Sequence, residues 1–155
     1  MNITFNDIVV ALACFLMLYA AVFDWKYLKI KNIFVILILV LGLAHAGLAS
    51  SPGAAIAMSG VIFIATLVVG FIFFMIGGWG AGDAKLFSTS SIFFDPYGVI
   101  LYFFGSLVIS LIIGFLYLLK KRKTKKISIK QILKERIPFA PGMFFSFLIS
   151  IGIIV

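Results

Sequence analysis

The chain has 155 residues, of which 64% are hydrophobic and only 12% are charged. Ordinary soluble domains carry roughly 25% charged residues, so this composition excludes a typical soluble domain, and its hydrophobicity excludes a disordered chain. Because a membrane-spanning helix takes about 20 apolar residues, the sequence predicts a single membrane-embedded domain over residues 1–155 with room for about six spans.

Long apolar stretches predict five membrane-spanning helices. In chain order they are Ile8–Phe23, Ile33–Ala49, Ala54–Ile76, Tyr97–Leu119 and Ile137–Val155. The residues before the first stretch include no basic residue, so we expect a retained helix rather than a cleaved signal peptide. Turn residues at 50–53 separate the second and third stretches, which predicts a helical hairpin.

The net charge of +8 is concentrated in one loop. The segment Lys120–Arg136 contains nine basic residues and one acidic residue, and the charges of the remaining chain cancel. Cytoplasmic loops are rich in Lys and Arg, so this segment is predicted to face the cytoplasm beside anionic lipid, with no nucleic acid as partner. The spacing of Ile127, Ile132 and Leu133 predicts an amphipathic stretch on the membrane surface.

The basic residues also predict a sixth, short crossing. Three lysines between the first and second stretches indicate that this loop is cytoplasmic, and the basic segment falls on the same side only if the chain crosses once more between Asp83 and Pro96. The candidate is Ala84–Phe94, which covers ~17 Å of a ~30 Å hydrocarbon core and contains four Ser or Thr residues. Such a polar segment is tolerated inside protein or beside water.

The predicted fold class is therefore all-α. It is a polytopic membrane helix bundle of six helices with a short internal fourth helix. The alternation of the crossings places both termini outside the cell membrane and the loops after the first and third helices in the cytoplasm.

Two carboxylates are the candidate chemical groups. Asp24 follows the first apolar stretch and Asp83 precedes the short helix, and the predicted topology puts both at the cytoplasmic face. Two carboxyl groups that share a proton suit acid–base hydrolysis, as in aspartic proteases. The structural alternatives are an ion pair of Asp24 with Lys26 or Lys29, and a helix-capping role for Asp83.

A glycine-rich turn precedes Asp83. Gly77, Gly78, Gly80 and Gly82 make a permissive backbone that lets a substrate approach and is expected to leave amide donors free. A phosphate cradle is the alternative, but the lysine spacing of a P-loop is absent from the sequence.

Other polar and aromatic residues have structural interpretations. Lys85 is expected at the membrane surface, Trp25 and Trp79 in an interfacial aromatic belt, and His45 as a packed or interfacial residue. Cys14 is the one cysteine of the sequence, so neither a disulfide within the chain nor a cysteine-based metal site is predicted.

Three segments together resemble one family. They are Asp24 with the following Lys26 and Asn32, the run Gly78–Leu86 with its Gly-x-Gly-Asp motif at residues 80–83, and Ile137–Gly142 at the start of the last helix. In this order they resemble the type IV prepilin peptidases, which are membrane aspartic proteases. One departure is Lys31, where the family often has proline.

The resemblance implies a cytoplasmic cut that removes a short basic leader from prepilins or pilin-like precursors, just before their hydrophobic helix. It implies Asp24 and Asp83 as catalytic residues. It also implies that Gly78, Gly80, Gly82, Lys85 and Pro138 shape the site or bind substrate. No cofactor or metal is expected. The loop after the first helix lacks the cysteine-rich insertion of larger members, so we expect peptidase activity without methyl transfer.

Two other functions stay open. Presenilin-like proteases share the Gly-x-Gly-Asp motif and cut within membrane spans. A non-enzymatic transporter subunit could use the two acids as a proton or cation site, because ionisable residues at membrane depth are common there.

Overall fold

The computed structural model describes residues 4–125 and 137–154, and over these residues the chain forms six α-helices and no strand. The helices are α1 (Phe5–Tyr27), α2 (Asn32–Gly47), α3 (Pro52–Met75), α4 (Ala81–Ser91), α5 (Pro96–Lys125) and α6 (Ala140–Ile154). The all-α prediction, with a short fourth helix, is confirmed. The predicted amphipathic stretch and most of the basic loop lie outside the described residues.

Three of the described helices are long and apolar enough to cross a membrane. They are α1, α3 and the part of α5 that runs from Pro96 to Lys120, whereas α2 and α6 are apolar but shorter. Large apolar side chains on these helices are exposed, as expected for residues that face lipid. The protein is therefore a membrane protein.

Helix α4 lies inside the bundle, as its composition predicted. Every residue from Leu86 to Ser91 is buried. The hydroxyl groups of Ser88, Thr89, Ser90 and Ser91 donate to carbonyl groups one turn earlier in the helix, and Ser90 also bonds the hydroxyl of Tyr102 at 2.8 Å. These bonds satisfy polar groups that lipid could not satisfy. The helix begins at Ala81 rather than at the predicted Ala84, so Asp83 lies within its first turn.

Small residues allow close packing on both sides of the bundle. A side chain at Gly70 in α3 would lie 2.9 Å from the Cβ atom of Ala84 in α4. In the pair α5 and α6, a side chain at Gly142 would collide with Ser110 and one at Gly105 would collide with Ser146. Close backbone approach of this kind is the usual way in which membrane helices associate.

The contacts define two ends of the bundle. At one end, Gly82 at the start of α4 packs against Ile30 after α1, and Ile137 before α6 packs against Gly114 in α5. At the other end, the His45 ring near the end of α2 lies 5.3 Å from the ring of Phe93 after α4. Helix α4 therefore runs through the interior from one end to the other.

Candidate active site

Asp24 lies in the last turn of α1 and is buried, with 5% of its surface exposed. Its Oδ2 atom accepts a hydrogen bond of 3.1 Å from the backbone N–H of Ala140, the first residue of α6. The first N–H groups of a helix lack partners within the helix, and a carboxylate is a favourable partner for them. Among the described residues, the carboxylate of Asp24 faces α6 rather than Lys26 or Lys29. The predicted alternative of an ion pair with one of these lysines is therefore not observed.

The segment before α6 holds the backbone that Asp24 contacts. Residues 137–139 are not helical, Pro138 is fully buried, and Pro141 occupies the first turn of the helix, where proline is favoured. Pro138 therefore lies two residues before the donor to Asp24, and its fixed backbone helps to define where α6 begins.

Asp83 is the third residue of α4, and its carboxylate bonds the backbone at the start of the same helix. Its Oδ2 atom accepts a hydrogen bond of 2.9 Å from the backbone N–H of Gly80, the N-cap residue of the same helix. This is one half of a capping box, and glycine has no side chain to supply the other half. The side chain of Asp83 is partly buried. Asp83 therefore helps to cap α4, as the structural alternative predicted, although the N-cap residue is Gly80 rather than Asp83.

The expectation of free amide donors in the glycine-rich turn is wrong for Gly77, Gly78 and Gly80. The N–H groups of Gly77 and Gly78 donate to Phe74 and Phe73 in α3, and the N–H group of Trp79 also donates to Phe73. With Gly77 in the left-handed region at φ 78°, this is the Schellman ending of a helix, for which glycine is the preferred residue. These amides therefore end α3 and cannot at the same time bind a substrate oxygen.

The remaining glycines lie at distinct places around Asp83. Gly78 and Gly80 are exposed, and Gly82 is partly buried against Ile30. An added side chain at Gly80 would lie 3.0 Å from the carboxylate of Asp83. The lack of a side chain at Gly80 therefore lets the carboxylate of Asp83 reach its own helix cap.

Trp79 lies between the segments that hold the two acids. It is buried, with 4% of its surface exposed, so its assignment to an interfacial belt is wrong; Trp25, by contrast, is exposed. The ring of Trp79 contacts Phe73 and Phe87, and its centroid lies 6.4 Å from that of Phe139. Trp79 precedes the donor to Asp83 and Phe139 precedes the donor to Asp24, so this ring contact brings the two halves of the site together.

An apolar groove of about 440 Å³ lies between α3 and the first turns of α4. It is lined by Leu67, Val68, Phe71, Phe74, Ala81, Ala84 and Lys85. Two of these residues, Ala84 and Lys85, directly follow Asp83. The side chain of Lys85 is exposed, as predicted for a residue at the membrane surface.

His45 lies at the other end of the bundle from both acids. Its Nδ1 atom and Oδ1 of Asn6 are 2.6 Å apart, and its ring packs against Phe93, in agreement with the prediction of a packed histidine. Residues 4–125 and 137–154 bring together no group of three His, Cys, Asp or Glu side chains that could hold a metal ion.

A comparison with known protein families matches residues 11–115 to the type IV leader peptidase family. The chain belongs to this family. The match includes both Asp24 and Asp83, together with the glycine-rich turn, whereas Pro138 lies beyond it. Comparisons with curated proteins and with solved structures find no match.

Family membership and the apolar helices make the protein a membrane peptidase of the leader peptidase type. Sequence reasoning predicted Asp24 and Asp83 as site residues, and it did not identify the backbone of Ala140 as a partner of Asp24. A backbone amide leaves no signal in residue type, and Ala140 lies 116 positions after Asp24.

Proposed function

We propose that this protein is an aspartic endopeptidase that removes the short basic leader from prepilin-like precursors at the cytoplasmic face of the cell membrane. Asp24 and Asp83 are its catalytic residues. The observation that carries this proposal is their placement: the end of α1 and the start of α4 meet at one end of the bundle, where Gly82 contacts Ile30. Family membership supports the peptidase reaction.

The two carboxyl groups act as one unit in this mechanism. Two neighbouring carboxylates are costly to ionise together, so they hold one proton between them. The ionised carboxylate takes a proton from water, and the resulting nucleophile attacks the scissile carbonyl carbon. The protonated carboxyl group donates its proton to the carbonyl oxygen. No metal or organic cofactor takes part.

The groove between α3 and α4 binds the hydrophobic helix of the substrate in this proposal. A precursor cut at Asp83 continues into the membrane from that end of the bundle, where Ala81, Ala84 and Lys85 of α4 line the groove. Its lining is apolar, which suits a hydrophobic helix. Exposed Lys85 lies at the same end, where the polar flank of the substrate meets the membrane surface.

The proposed orientation follows the positive-inside rule. The end of the bundle that carries the two acids also carries Lys26, Lys29 and Lys31 and the start of the basic segment at Lys120, so this end is cytoplasmic. Both termini then lie outside. The segment Lys120–Arg136 binds the anionic leaflet, and attraction of this kind amounts to about 1 kcal/mol for each basic residue near the surface.

Replacement of each acid tests the mechanism. In Asp24→Asn and Asp83→Asn we expect cleavage to fall by about 10³-fold or more, since loss of one member of a catalytic unit disables the whole. The control is Asp95→Asn, because Asp95 caps α5 through the N–H of Gly98 and lines a cavity with His45 at the other end of the bundle. Normal cleavage by either of the first two variants would contradict the dyad.

The position of the cut separates this proposal from a presenilin-like protease. Purified protein is mixed with a precursor that has a basic leader followed by a hydrophobic helix, and the mass of the product gives its new N-terminus. A cut before the apolar stretch is expected, and a cut within it would contradict the proposal. Treatment with a chelator is expected to leave the rate unchanged.

A further inference from the structure

A single peptide group connects Asp24 to a buried serine in another helix. The N–H of Ala140, which bonds the carboxylate of Asp24, belongs to the peptide bond between Phe139 and Ala140. The carbonyl oxygen of that same peptide bond accepts a hydrogen bond of 3.0 Å from the hydroxyl of Ser110 in α5. We propose that Ser110 is a positioning residue for Asp24 that acts through this peptide group. The catalytic consequence rests on the proposed function.

The hydroxyl of Ser110 has an unusual acceptor for a serine within a helix. Such hydroxyl groups ordinarily bond a carbonyl one turn earlier in their own helix. Ser106, one turn before Ser110 and equally buried, does so with Phe103 at 2.8 Å. Ser110 bonds across to Phe139 instead. It therefore fixes the peptide group before α6 rather than its own helix.

The packing around this peptide group brings α5 close enough for the bond. Gly142 lies against the backbone and hydroxyl of Ser110, where any side chain would collide. Ile137 packs on Gly114 in the same pair of helices. Both Ser110 and Ala140 are fully buried, so the peptide group is held away from solvent.

The two hydrogen bonds strengthen each other because they share one amide. A donor at the carbonyl oxygen polarises the peptide group and makes its N–H a better donor, an effect of about 10–30% per bond. The carbonyl of Phe139 also accepts the first bond of α6, from the N–H of Met143 at 3.2 Å, so both of its lone pairs are used. A fixed peptide group in turn limits rotation of the Asp24 carboxylate.

Nuclear magnetic resonance of the full chain in detergent micelles can observe this peptide group alone. The sequence contains a single Phe–Ala pair, at residues 139 and 140, so labelling with carbonyl-¹³C phenylalanine and ¹⁵N alanine gives one correlated amide signal. In Ser110→Ala we expect the Ala140 amide proton to move upfield as its bond to Asp24 weakens. In the matched control Ser106→Ala, the signal stays close to its position in the unchanged protein.

Kinetics provide the second readout. Ser110→Ala is expected to lower kcat by about 10-fold with little change in KM, because a misplaced catalytic group slows the chemical step without changing how substrate binds. Ser106→Ala leaves both constants unchanged. An Ala140 signal that moves no further in Ser110→Ala than in Ser106→Ala would overturn the inference, as would a loss of activity confined to KM.

The two readouts separate this inference from the proposed function. If Asp24→Asn retains activity, the proposed function is wrong, and the Ala140 signal still shows whether Ser110 holds this peptide group. If Asp24→Asn is inactive while Ser110→Ala changes neither the signal nor kcat, the dyad stands and the positioning role of Ser110 is wrong.

Discussion

The two candidate catalytic acids are held in contrasting ways. Asp83 bonds the backbone of Gly80, three residues earlier in the same helix turn, and its side chain is partly exposed. Asp24 is buried and bonds the backbone of Ala140, which is distant in sequence and belongs to the last helix. The bond that Asp24 makes therefore depends on the packing of α1 against α6, whereas the bond between Asp83 and Gly80 forms within the start of α4.

The contrast indicates a division of tasks within one site. Asp83 is partly exposed, at the end of α4 that also borders the groove, and its surroundings suit the arrival of substrate. The surroundings of Asp24 are closed, and suit a group that must stay fixed. Trp79 connects the two through its contacts with Phe87 and Phe139.

Among variants that keep both acids, the largest effect is expected from removal of the two backbone donors, one at a time, with proline. Ala140→Pro removes the N–H that bonds Asp24, at a helix start where proline is otherwise accepted. We expect cleavage to fall by about 100-fold, since a displacement near 1 Å can cost this much. The rate of leader removal by purified protein measures the effect.

The matched variant is Gly80→Pro, which removes the N–H that bonds Asp83. The φ angle of Gly80 is −79°, which suits proline, and the ring also adds a side chain 3.0 Å from the carboxylate of Asp83. Because Asp83 is partly exposed, water can replace the lost donor, and we expect a loss of about 10-fold or less. Equal losses in the two variants would contradict the contrast between a locally held and a remotely held acid.

The same contrast explains how much of the site could be predicted from the sequence. The apolar stretches, the short fourth helix and both acids follow from composition, charge and motif, because lipid imposes strong rules on a chain that crosses it. The amides of Gly77 and Gly78 were assigned to a substrate because the same glycines suit either a binding turn or a helix ending.

Contacts between distant segments could not be predicted in the same way. The bond between Asp24 and Ala140 depends on how α6 packs against α1, and the burial of Trp79 depends on rings from four other segments. A signal for Ser110 was present: polar residues within apolar helices usually face the interior of a bundle. The sequence alone does not identify the acceptor that such a residue contacts.

A smaller effect is expected at the groove beside Asp83. Val68 lines the groove and is exposed, so Val68→Trp fills part of the space proposed for the substrate helix. We expect KM to rise by about 5-fold with kcat unchanged, the pattern of a lost binding contact away from the reacting groups. Val61→Trp is the control, because Val61 is exposed two turns earlier on the same face of α3 and does not line the groove. Similar KM values for both variants would contradict this docking site.

The smallest effect is expected where α3 supports the helix that carries Asp83. A methyl group at Gly70 would lie 3.0 Å from the Cα atom of Ala84, so Gly70→Ala must displace α4 at the residue after Asp83. We expect a lower Tm in detergent and a loss of about 3-fold in kcat/KM, since overpacking shifts a backbone by small amounts. Gly60→Ala is the control, because a methyl group there meets no atom within 4 Å. If Gly70→Ala moved the Ala140 amide signal as strongly as Ser110→Ala does, the two acids would be coupled through the bundle, and the independence of their supports would be wrong.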